Sequence, residues 1–202
     1  MTKHSNRESE ISSSISNLLN SFDSGQRRYL DAFIKNYKSA SDLLTLGIYP
    51  NAKEITESYA ALNAAKKLNL NRSDEDITIV CVGDGRSPRT AALFAFNSRW
   101  NCISIDPNLN TNKIHLWEKS IQRLYCVPSQ VEEIDLYFNT VIICCVHSHA
   151  PMKETLKHIK GKKRSMIAIP CCIPYNYIYP TMEYRDSGIW SEKNLVKIWR
   201  KI

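Results

Sequence analysis

The chain is 202 residues long, 43% hydrophobic and 23% charged, ordinary proportions for one folded domain with a real core. No apolar run reaches the ~18 residues of a membrane span, and the polar, Ser-rich start carries no apolar signal segment, so an intracellular location, cytoplasm or nucleus, is expected. Lys and Arg outnumber Asp and Glu by 27 to 20, and the net charge of +7 favours an anionic partner, RNA or an acidic protein, over a membrane.

Residues 1–24 are rich in Ser, Asn and charge and read as a flexible polar tail. A helical addition is expected over 25–72. Tyr29, Phe33, Tyr37, Leu43 and Leu44 predict one amphipathic helix over 26–47. Ile55, Tyr59, Leu62, Ala65 and Leu68 predict a second over 53–69, with Gly47 and Pro50 between them. From 73 onward the pattern becomes short apolar runs alternating with helical stretches. Strands are predicted at 77–82, 101–105, 123–127, 140–146 and 165–171, and helices at 87–98, 112–120 and 150–159. Such alternation predicts an α/β fold, a mostly parallel Rossmann-like sheet with helices on both faces. The tail after Tyr184 predicts one or two strands, with a short helix at 192–200 as the alternative. Four of the seven cysteines (Cys81, Cys102, Cys144, Cys145) lie inside apolar runs, where a reduced cysteine acts as a small hydrophobe, and no disulfide framework is expected.

The chemistry concentrates where the first strand ends. Val80-Cys-Val-Gly-Asp-Gly85 is an apolar run closed by a Gly-Asp-Gly turn, followed by Ser87 as a predicted helix cap and Pro88 as the first helical residue. The second strand, Ile103-Ser-Ile-Asp106, stops at an acid 23 residues after Gly83, close to the ~20 expected of a ribose-binding carboxylate. Pro88 replaces the third glycine of a dinucleotide fingerprint, and no Gly-Lys-Ser/Thr follows as a Walker loop requires. An acid inside the turn would repel a pyrophosphate and suit a cationic or hydroxyl-bearing ligand.

On these residues the region 77–172 resembles the class I S-adenosylmethionine-dependent methyltransferases, as a divergent member. The resemblance implies a Rossmann-like methyltransferase sheet and S-adenosylmethionine as cofactor, with Gly83, Asp84, Gly85 and Asp106 as binding residues. It implies methyl transfer to RNA or a protein.

The fourth strand runs out through Val146-His-Ser-His-Ala-Pro151 and the fifth through Ile169-Pro-Cys-Cys-Ile-Pro174, at the same sheet end as the glycine turn. His147 and His149 are therefore the candidate catalytic residues, positioning or deprotonating the acceptor, since imidazole titrates near neutrality. Two other readings stay open. One histidine caps the following helix while the other bonds to backbone, or two His and two Cys bind zinc. Cys171 and Cys172, if in a strand, would point to opposite sides, and no metal site is assigned. The Asp/Asn-Pro-Pro-aromatic motif of amino-methyltransferases is absent at 147–149, and a Lys-Asp-Lys-Glu set is not evident, which keeps a catalytically inactive binding protein on this fold as the rival.

The basic run Lys157–Arg164 is expected to be a solvated turn before the fifth strand. Lys193, Lys197, Arg200 and Lys201, with Trp199, are the expected phosphate and stacking contacts. Tyr175, Tyr177 and Tyr179 are expected either to line the cleft or to pack in the core. The Asn-, Lys- and Ser-rich composition fits an A/T-rich genome such as a viral one.

Overall fold

The computed structural model describes residues 24–202, so all but the end of the expected tail lies outside the described residues. Three helices come first: α1 (Ser24–Lys35), α2 (Tyr37–Thr45) and α3 (Ala52–Ala65). The single helix expected over 26–47 is therefore two. The chain breaks at Asn36, whose side chain makes no cap hydrogen bond. The Asn51 carboxamide accepts the Glu54 N–H and starts α3. The remaining elements are β1 (Ile77–Val82), α4 (Arg89–Asn97), β2 (Asn101–Ile105), α5 (Thr111–Ser120), β3 (Leu124–Val127), β4 (Leu136–Val146), α6 (Met152–His158), β5 (Ile159–Ile169), β6 (Met182–Arg185) and β7 (Leu195–Trp199).

The seven strands form one sheet in the order β3-β2-β1-β4-β5-β7-β6. β7 runs antiparallel to both its neighbours and every other pairing is parallel. This is the mostly parallel, Rossmann-like sheet that the strand-helix alternation predicts. All six residues of β1 are buried, as a central parallel strand covered on both faces requires.

The two-residue period of the strands divides the core. Ile77, Ile79 and Cys81 of β1, Ile142 and Cys144 of β4, and Ile167 and Ile169 of β5 face one layer. That layer also holds Phe33, Leu43, Ile55, Tyr59 and Ala60 of the N-terminal helices, and Leu93 of α4. Val80, Val82, Val141, Ile143, Cys145, Met166 and Ala168 face the other, against Met152 and Leu156 of α6, Tyr175 and Trp199. Ten residues of α3 are buried, so the N-terminal helices share the sheet's own core. Their docking is also polar. Asp186, 2% exposed, accepts from Arg28 and from the Tyr29 hydroxyl (2.6 Å), tying α1 to the loop after β6. Trp117 Nε1 donates to the Leu46 carbonyl at 3.1 Å and Ser87 Oγ to the Ile48 carbonyl at 2.6 Å.

β4 and β5 are each 11 residues long and reach well past the other strands at their N-terminal ends. Leu136 pairs with Ile159, Tyr137 with Lys160 and Thr140 with Lys163, whereas β1 joins β4 only from Thr140 onward. The basic run is thus not a turn before the strand. Lys160, Lys162, Lys163 and Arg164 belong to the strand itself. Cross-strand pairing with the Leu136–Thr140 segment overrides the poor β-propensity of lysine and glycine. No helix of the described residues is long and apolar enough to cross a membrane.

Candidate functional site at the C-terminal end of the sheet

The chain leaves β1 through Gly83 and Gly85, both left-handed, at φ 73° and 88°. Only glycine holds such angles without strain. At Gly83 a close approach adds to the demand: a Cβ there would lie 2.3 Å from Ser148 Oγ and 3.0 Å from Ser148 Cα, so the loop after β4 rests directly on the turn. The Ser148 hydroxyl accepts the Ala150 N–H at 3.1 Å, which folds that loop.

Asp84, expected at the ligand, faces the other way. It is 3% exposed, and its carboxylate accepts Thr90 N–H at 2.9 Å, Ala91 N–H at 3.1 Å and the Ser104 hydroxyl at 3.1 Å. It serves the start of α4 from beneath, where the helix leaves amide donors unpaired. Burial pushes its carboxyl up, while Arg89 and the helix amides pull it partly back. Ser87 therefore does not cap the helix, its hydroxyl being spent on Ile48, and α4 begins one residue after Pro88.

Asp106 lies where the spacing puts it. Its Oδ2 accepts the Gly85 N–H at 2.8 Å and its Oδ1 the Asn108 N–H at 2.7 Å. Each carboxylate oxygen retains a second lone-pair site. Gly83, Gly85, Ile105, Asp106, Gln130 and Val131 line a cleft of about 390 Å³ that continues to His147, His149 and Pro151. That volume lies within the usual ~300–1,000 Å³ of small-molecule sites. The cleft sits between the ends of β1, β2 and β4, beside the strand where the chain order reverses.

The two histidines part company. His147 takes a left-handed conformation (φ 50°), and its amide continues the β4–β5 ladder by donating to the Ile169 carbonyl at 2.9 Å. Its Nδ1 stands 3.1 Å from Glu57 Oε1 and its Nε2 3.0 Å from the Lys193 carbonyl. Both nitrogens are committed to acceptors, which joins α3, the β4 loop and the segment before β7. Glu57 is 2% exposed. Burial alone would push its carboxyl up, but His147 and Lys53, the latter at 2.6 Å, together hold it below its ordinary value. His149 is exposed at the cleft rim and takes no hydrogen bond from the described residues.

β5 ends at Ile169, before Pro170, and Cys171 and Cys172 lie in a bend. Opposite pointing of neighbours holds only within a strand. Here the two sulfurs stand 3.4 Å apart, which removes the objection to their acting together. The tyrosines separate too. Tyr175 is fully buried with its hydroxyl donating to the Ala150 carbonyl at 2.9 Å, whereas Tyr177 and Tyr179 are exposed. Trp199, expected as a stacking surface, is 1% exposed and donates to the Ile178 carbonyl. Lys197 reaches the Tyr175 carbonyl at 3.2 Å.

Arg89 went unnoticed in the sequence. Its Nη1 pairs with Glu54 at 2.5 Å, its Nε donates to the Asp84 carbonyl at 2.7 Å, and its guanidinium covers Gly85 on the cleft side. An arginine two residues inside a predicted helix that follows a glycine turn was the available signal. Glu57 left none, because on sequence alone it is one more polar residue of a helix.

No protein-family model matches the sequence, and no curated protein matches it. Among solved structures, a glutamate-to-glutamine mutant of MtNAS shares 13% identity at a TM-score of 0.46, covering 86% of this chain and 73% of its own. The same mutant in complex with S-adenosylmethionine shares 11% identity at a TM-score of 0.48, covering 86% and 74%.

Proposed function

We propose that the cleft binds S-adenosylmethionine and that the chain is a methyltransferase of the class I fold acting on RNA or a protein. The observation that carries this reading is Asp106, held by Gly85 and Asn108 amides at the cleft wall with an acceptor site left on each oxygen. Vicinal ribose hydroxyls are the donors such a carboxylate selects. Ile105 and Val131, beside the polar Gln130, suit one face and one edge of a purine. Arg89, over Gly85, offers a cation to an amino-acid carboxylate. A pyrophosphate fits poorly, since the cleft lining sets two carboxylates, Asp106 and Glu132, against one arginine, Arg89. When bound, the cofactor supplies a methyl group on a sulfonium.

The protein's part is then positioning and exclusion of water. His147, with both ring nitrogens engaged, fixes the loop that borders the acceptor side and has no lone pair aimed into the cleft. That same locking favours the second reading, a binding protein on this fold without catalysis. The net charge of +7 supports an anionic partner in either case.

A thermal-shift series with S-adenosylmethionine, S-adenosylhomocysteine, NAD and ATP tests the cofactor. The first two should raise the melting temperature, by the equivalent of ~2.7 kcal/mol at a hundred times Kd, and Asp106→Ala should abolish the rise. A response to NAD or ATP alone, or to none, would defeat the proposal. Binding without transfer of labelled methyl to RNA or protein would select the non-catalytic reading.

A further inference from the structure

We propose that His149, Cys171 and Cys172 form a site for one thiophilic cation, Zn2+, at the rim of the cleft. The inference does not rest on the cofactor reading. One ligand atom from each of these residues lies within 4.8 Å of the other two. In a tetrahedral zinc site, with Zn–S near ~2.3 Å and Zn–N near ~2.0 Å, ligand atoms stand roughly 3.5–3.8 Å apart. The sulfurs stand 3.4 Å apart, a few tenths of an ångström inside the zinc spacing, and the imidazole nitrogen lies no more than 4.8 Å from either of them.

The three residues are exposed or half-buried and reachable from solvent, and His149 has no hydrogen bond among the described residues to give up. The other five cysteines are buried in or beside the sheet, out of reach of an ion from solvent. Usable thiols are thus confined to this bend.

The framework around the site is fixed before any metal arrives. His149 leaves β4 and the cysteine pair leaves β5, adjacent strands paired as far as Val146 with Ile169. The His147 amide extends that pairing by one more bond, and the Cys171 thiol points at the His147 carbonyl, 3.6 Å away. From the far side the buried Tyr175 hydroxyl binds the Ala150 carbonyl at 2.9 Å, clamping the two loops together. Ordering of loops is therefore a small part of the cost of binding.

Two thiolates and an imidazole select a borderline or soft ion over Mg2+ or Ca2+, which take oxygen ligands. Binding forms two Zn–S bonds and one Zn–N bond and sends the two thiol protons to solvent. Three protein ligands leave the fourth position to water or to a group entering the cleft, the arrangement of catalytic rather than closed structural zinc sites.

The test uses the full chain, reduced with a phosphine and stripped by a chelator. Zn2+ uptake is titrated against a chromophoric chelator, and Co2+ serves as a spectroscopic substitute. One equivalent should bind, and Co2+ should give thiolate charge-transfer and tetrahedral d–d bands. His149→Ala, Cys171→Ser and Cys172→Ser should each weaken uptake beyond the ~10–100-fold that loss of an outer hydrogen-bond partner costs. His115→Ala, at an exposed histidine of α5, should leave uptake unchanged. Circular dichroism shows that each variant is folded. Absence of stoichiometric uptake by the folded, reduced protein would overturn the proposal, as would uptake that any one of the three ligand substitutions leaves unaltered.

Discussion

Replacing Gly83 by alanine probes the contact on which the cleft is built. Two costs add. Holding alanine at φ 73° costs roughly 1–2 kcal/mol. The new methyl must also displace Ser148, whose Oγ, Cβ and Cα would lie at 2.3, 2.7 and 3.0 Å, and overpacking of this kind costs about 1–3 kcal/mol. Ser148 is 1% exposed and cannot simply swing into solvent. The sum, about 2–5 kcal/mol, is a large part of the stability of a domain this size. Gly85→Ala is the internal comparison: its φ of 88° carries a similar backbone cost, but its Cβ would meet only the far end of Arg89, at 2.9 Å. Urea unfolding should therefore show Gly83→Ala as clearly the less stable of the two. Adding Ser148→Gly to Gly83→Ala should recover about 1–2 kcal/mol relative to the sum of the single changes. Equal midpoints for the two alanine variants, or no recovery in the double variant, would refute the placement of the β4 loop on the turn.

Asp84→Asn should lower stability by about 2–4 kcal/mol, because one of the three donors now satisfied would meet an amide N–H instead of an oxygen. The melting-temperature rise with S-adenosylmethionine should survive in the folded variant, in contrast to Asp106→Ala. Loss of that rise at unchanged stability would put Asp84 back at the ligand. Glu57 governs an acid limb. Its carboxyl is depressed in the folded chain, so its contribution is present above the ordinary glutamate pKa of ~4.3 and is lost as pH falls through the folded value. Glu57→Gln should be less stable at neutral pH and show a shallower loss of stability below about pH 4. A parallel pH profile for the two proteins would mean that the His147 and Lys53 contacts do not persist in solution.

The parallel part of the sheet was legible because its strands are short, apolar and bounded by turns. β1 and β2 begin and end where the hydrophobic runs do. β4 and β5 were underestimated at their N-terminal ends, since Tyr137, Asn139, Lys160 and Lys162 carry no hydrophobic pattern and are held by each other. At the site, Gly83, Gly85 and Asp106 could be read from local spacing. The orientation of Asp84 could not, because a turn acid facing a ligand and one facing the next helix have the same sequence. The Glu57–His147 contact links residues 90 positions apart and leaves no local trace. The closeness of Cys171 to Cys172 depended on the strand stopping at Ile169, two residues earlier than the apolar run suggests.

The overhang of β4 and β5 creates a two-stranded tongue whose margins lie outside the ladders that β1 and β7 form. The Leu136–Asn139 margin extends beyond the reach of β1, and β7 joins β5 only at Met166 and after. Margins of this kind invite a strand from another molecule. Lys160, Lys162 and Lys163 stand along this tongue, so a second copy approaching in register would bring like charges together. The consequence of this charge run is repulsion between two such tongues, which opposes edge-to-edge pairing of the sheet with its own copy.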